Sequence, residues 1–205
     1  MPPLEELVKP GRVAVLTMEL QRGVVGDLAC LPALAESVAE AGVLANTARV
    51  LEAARTRGIP VIHCTAAFRS DRAGSFDNVP LVNHLLLNPN HLLVDSPEAE
   101  VCPELRAPGS DLESQRLHGL SPFHATGLDP MLRSAGVATV VATGVSLNVG
   151  IIGLTIEALN YGYHVVLPED CVAAHPLEYG RTIMQGTLGP LTTQTTSDAL
   201  VECWR

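Results

Sequence analysis

The sequence predicts an α/β fold, a doubly wound, mainly parallel sheet with helices on both faces. Three observations predict it. Short apolar, β-branched runs recur at 12–17, 59–64, 139–143 and 163–167, too continuous for half-exposed strands. Segments with helical spacing lie between them and end in glycine: 31–57 before Gly58, 128–134 before Gly136, and 151–160 before Gly162. Strand, helix and strand in that order make right-handed crossovers, which cover both faces of a parallel sheet.

Taken in order, residues 12–17 follow Pro10-Gly11 and start the sheet. Residues 31–57 read as one long helix, with Val43, Leu44, Thr47, Val50, Leu51 and Ala54 at helical spacing. The run 59–64 closes the first βαβ unit. From 67 to 119 the pattern gives way to loops rich in Pro, Asn, Asp and Ser, and loops that long are usually functional or poorly ordered. Alternation resumes over 128–167. The tail reads as a helix over 177–185, a strand-like 189–195, and a last helix over 196–203 capped near Ser197. There is no repeat or linker, so residues 1–205 are expected to form one domain.

Composition narrows the function. A formal net charge of −9 and 13 scattered basic residues argue against nucleic acid as a partner. No segment reaches the roughly 20 apolar residues of a membrane span, and residues 1–12 lack the apolar core of a signal peptide. The five cysteines have no C-x-x-C spacing, and the histidines share no helix face, so neither a disulfide framework nor a metal site is expected. A soluble cytoplasmic protein acting on a small molecule, without cofactor or metal, is the expectation.

In such a sheet the site lies beyond the carboxyl ends of the strands, where three segments stand out. The first is Met18-Glu19-Leu20-Gln21-Arg22-Gly23. A carboxylate at the rim of an apolar strand is desolvated and suited to proton transfer, although Glu19 could also simply pair with Arg22. The second is the run from Arg116 through His118-Gly119-Leu120-Ser121-Pro122-Phe123 to Thr126 and Leu128. The third is Thr143-Gly144-Val145-Ser146-Leu147-Asn148-Val149-Gly150, a strand running into a helix, where N–H groups and the helix dipole favour an anion.

These segments resemble the isochorismatase-like hydrolases of the cysteine hydrolase superfamily over about residues 12–199. The family writes them D-M-Q, K-x-x-x-S-A-F-x-x-T-x-L and T-G-V-x-T-x-V-C. The resemblance implies a six-stranded, three-layer sandwich and a homodimer or homotetramer. It implies that Glu19 replaces the acid/base aspartate, with Gln21 beside it, and that Gly150 replaces the nucleophilic cysteine. In the family the preceding turn often holds a cis peptide and forms an oxyanion hole, a role that falls here to Ser146 and Asn148. An ungapped match puts Leu117 in the lysine position. Alternation places Arg116 and His118 together on the opposite face, and Gly119 favours His118 by letting the backbone bend. Arg69 and Phe123 join the expected substrate-binding set, with His63 near them.

Without a thiol at Gly150 the covalent amidase route is closed. True isochorismatases also carry glycine there and hydrolyse a vinyl ether, with an acid protonating carbon and water capturing the cation. The resemblance therefore implies acid-assisted hydrolysis by water, with an inactive metabolite-binding or structural relative as the alternative.

Overall fold

A computed structural model describes residues 2–107 and 109–205. In chain order its elements are α1 (Leu4–Leu7), β1 (Val13–Met18), α2 (Pro32–Glu40), α3 (Val43–Thr56), β2 (Val61–Ala66), α4 (Pro80–Leu85), β3 (Leu112–Arg116), α5 (Leu128–Ser134), β4 (Thr139–Val145), α6 (Ile152–Asn160), β5 (His164–Pro168), β6 (Val172–Ala173), α7 (Leu177–Ile183), β7 (Thr193–Thr195) and α8 (Ser197–Cys203). Six strands form the sheet in the order β3-β2-β1-β4-β5-β7, and the two-residue β6 pairs with the end of β4. All these pairings are parallel.

Every residue of β1, β2 and β4 is buried, as strands covered on both faces must be. Alternation divides the core into two layers. Val13 and Val15 of β1 pack with Val50, Leu51 and Ala54 of α3 and Leu200 of α8. Ala14, Leu16 and Met18 face the other way, onto Leu128 and Leu132 of α5 and Leu154 and Ala158 of α6. Trp204 Nε1 donates to Val8 O (2.8 Å), tying the end of the chain to its beginning.

The structure departs from the sequence reading in four places. The segment 31–57 is two helices, because Gly42 adopts φ +67° between Ala41 and Val43 and no helix continues through a left-handed residue. The region 67–119 contains α4 and the edge strand β3, whose exposed Glu113 and Gln115 hide its strand character. The tail strand shortens to Thr193–Thr195, because a π-helical turn (Met184–Leu188) extends α7. The cap of α8 is Thr196, which accepts from the Ala199 N–H (3.2 Å).

Candidate active site

From β1 the strand order runs outward to β2 and β3 on one side, and from β4 to β5 and β7 on the other. Ligands of open α/β sheets bind at the carboxyl ends beside such a reversal. A cavity of about 100 Å³ opens there, bounded by Glu19, Arg116, His118, Ser146 and Gly150 on one side and by Leu31, Leu34, Phe68, Leu81, Val82 and Leu85 on the other.

Glu19 is the first residue beyond β1, with its N–H on Cys64 O (3.0 Å) and φ at +51°. Its Oε1 accepts from Arg116 Nη2. Arg116 ends β3, so the pair reaches across β2. The Arg116 side chain is 4% exposed and that of Glu19 22%. Arg116 also donates to Thr65 O (3.4 Å) and Gly119 O (3.5 Å), so both charges are anchored at the cavity wall.

Arg116 thus reaches Glu19, whereas His118 makes no hydrogen bond to it among the described residues. The two do share the cavity face, while Leu117 lies against Gly74. His118 stacks on Phe76 (centroids 4.9 Å apart, 25°), and its Nδ1 is buried with no hydrogen-bond partner among the described residues.

At the end of β4 the Val145–Ser146 peptide is cis, and a π-helical turn (Leu147–Ile151) leads into α6. Ser146 O accepts the N–H groups of Val149 (3.1 Å) and Ile151 (3.0 Å), which closes the turn around Gly150. A Cβ at Gly150 would stand 2.8 Å from Val145 O and 2.9 Å from Met18 Cε. The thioether could move; the carbonyl is backbone. A side chain at 150 therefore requires the turn itself to shift.

The remaining expected site residues lie elsewhere. Gln21 is fully buried and uses its whole amide on backbone: Nε2 donates to Ala66 O (2.8 Å) and Ala99 O (2.7 Å), and Oε1 accepts from Ala66 N (2.8 Å). It fixes the rim on which Glu19 stands. Arg69 is exposed and forked onto Asp71 (2.9 and 2.6 Å). Phe123 is a core residue stacked on Tyr161 (5.5 Å, 24°), and Asn148 is exposed. None of the four lines the cavity. His63 points away as well, bonded to Thr17 Oγ1 (2.8 Å) and to Asp111 (3.1 Å), which Arg55 also holds. Burial pushes the His63 imidazole down from its ordinary value, more than the Asp111 hydrogen bond raises it. Among the cavity residues that sequence reasoning did not place there, Cys30 and His91 carry reactive side chains and belong to no motif. Among the described residues no group of three His, Cys, Asp or Glu could hold a metal ion.

The model of one known family, described as the isochorismatase domain, matches residues 13–198. The chain belongs to the isochorismatase family. An uncharacterized family protein of Escherichia coli O157:H7, YecD, is 35% identical over 101 residues, 44% of this chain and 53% of that protein. The N-carbamoylsarcosine amidase of Arthrobacter sp is 25% identical over 131 residues, 63% of this chain and 49% of that protein. The chain thus spans about half the length of the curated relatives it matches. A cysteine hydrolase structure from Pseudomonas syringae pv. phaseolicola 1448A superposes with a TM-score of 0.82 at 22% identity, covering 97% of this chain and 94% of that one, a likeness of fold.

Proposed function

We propose that this family member is a hydrolase that works without a cysteine at the usual position, by acid-assisted attack of water on a small metabolite of the vinyl-ether type. The observation that carries the reading is the Glu19–Arg116 pair, set at the wall of a cavity that Gly150 also lines, where there is no space for a thiol. A substrate carboxylate competes for the Arg116 guanidinium. The freed Glu19 carboxylate takes up a proton from solvent and delivers it to the enol carbon, and water adds to the resulting oxocarbenium carbon. The proton lost by that water returns to Glu19, and the hemiketal collapses to a carbonyl and an alcohol. Gly150 lines the cavity in the turn that opens α6, and its N–H is a candidate donor to substrate oxygen. The apolar wall from α2 and α4 suits a substrate with a hydrocarbon body.

The same pair also favours a second reading, an inactive metabolite-binding relative, since with no substrate bound each charge is already satisfied by the other. One experiment separates them. Purified protein is assayed against isochorismate and a panel of small amides that includes N-carbamoylsarcosine. Vinyl-ether turnover that disappears in Glu19→Gln supports the first reading. Ligand binding without turnover of any panel member supports the second. Turnover that survives Glu19→Gln overturns the mechanism.

A further inference from the structure

A second pair of reactive side chains opens on the same cavity. Cys30 Sγ lies 3.3 Å from His91 Nδ1, and both residues line the cavity wall. Of the five cysteines, Cys30 is exposed, Cys203 is partly covered, and Cys64, Cys102 and Cys171 are buried. His91 is 4% exposed and lies against the Phe68 ring (centroids 5.9 Å apart, 31°). Backbone bonds hold each in place: Cys30 N–H on Gly23 O and His91 N–H on Asn88 O, both 3.1 Å. Arg72 braces the turn before His91 by donating to Asn88 O (3.1 Å) and Pro89 O (2.9 Å).

Burial pushes the Cys30 thiol up, and burial together with the Arg72 charge pushes the His91 imidazole down. The pair therefore rests neutral, the thiol donating to Nδ1 when Nε2 carries the ring proton. A nucleophile within hydrogen-bond reach of a neutral base is the arrangement that covalent catalysis requires. The neighbouring wall is apolar, with Leu31 just before α2, Leu34 from α2, and Leu81, Val82 and Leu85 from α4.

We propose that Cys30 and His91 form an acyl-accepting thiol–imidazole pair, a nucleophilic site separate from Glu19, that takes small activated esters with a short apolar acyl chain. As Sγ bonds to the carbonyl carbon, its proton passes to His91 Nδ1. The tetrahedral adduct expels the alcohol, which leaves with that proton, and the enzyme is left as a thioester. Water deprotonated by Nδ1 then cleaves the thioester, releasing the acid and restoring thiol and neutral imidazole.

The test uses the full chain and p-nitrophenyl butyrate, read by nitrophenolate release and by peptide mapping of the butyryl group. The expected result is one butyryl group on the Cys30 peptide, with release falling about 100-fold in Cys30→Ser and in His91→Asn and unchanged in Cys203→Ser. If His91→Asn does not fold, Leu85→Trp decides, since it crowds the acyl wall and should slow the butyrate more than the acetate ester. Butyrylation absent or shared equally with Cys203, release unaffected by Cys30→Ser, or a folded His91→Asn that acylates at the original rate would each overturn the proposal. The substrate differs from that of the Glu19 assay, so failure of one reading leaves the other standing.

Discussion

The carboxyl ends of β1 and β4 lie side by side and close one cavity, yet they are built in opposite ways. The end of β1 carries two polar side chains whose partners come from other elements, Glu19 to Arg116 and Gln21 to Ala66 and Ala99. The end of β4 offers no charged side chain. Its turn is backbone, with Gly150 pressed against Val145 O and Met18. One wall supplies charge and the other supplies shape. The ionisable groups thus stand on the first wall, where the fold itself depends on their neighbours.

Substitutions can break that comparison. Glu19→Gln attacks the charged wall directly, removing the carboxylate and leaving the Arg116 guanidinium buried without a counterion. Turnover should fall by about 100-fold or more, and stability by about 3 kcal/mol, the low end for a broken buried pair because Glu19 keeps some exposure. Steady-state kinetics and urea unfolding measure the two losses. Gln21→Ala removes the support without touching the cavity. It strands three buried backbone groups and should cost about 2–3 kcal/mol, seen as a lower urea midpoint.

On the shape wall, Gly150→Ala should cost about 1–2 kcal/mol, because the added methyl forces the Val145 carbonyl to give way. Gly150→Cys should be less stable still and should not gain thiol-dependent hydrolysis at that position. A cysteine there that folds at full stability and turns over amides would refute the steric account. The smallest effect belongs to His63, beneath the β1 wall. Its folded imidazole resists protonation, so its contribution to stability is complete above the ordinary histidine value and is lost as pH falls below about 6.5. His63→Gln should flatten the decline in melting temperature between about pH 7 and pH 5.

The strands buried on both faces were legible, because β1, β2, β4 and β5 are nearly unbroken apolar runs. The edge strand β3 was not. Glu113 and Gln115 face water, and a polar alternation inside a loop-rich stretch resembles the loops around it. Gly42 sat in plain view inside the predicted helix, but apolar spacing on either side of it masked the break. At the site, motif position singled out Glu19 and Gly150, both of which line the cavity. It could not choose between Arg116 and His118, since residues two apart share a face, and only the reach across β2 to Glu19 distinguishes them. Phe123 and Gln21 fall on family motifs because those motifs also record how the fold is held. Cys30 and His91 left no signal, being 61 residues apart and joined only by the folding of two loops.

The partner of Glu19 lies 97 residues further along the chain. A chain emerging from the ribosome therefore holds an unpaired carboxylate at a half-made sheet until β3 arrives, and it lacks a closed cavity until the turn after β4 follows. Local structure cannot assemble the site early, and contacts this distant in sequence form slowly. Any activity the protein has is thus withheld during synthesis until the long-range pairings are complete.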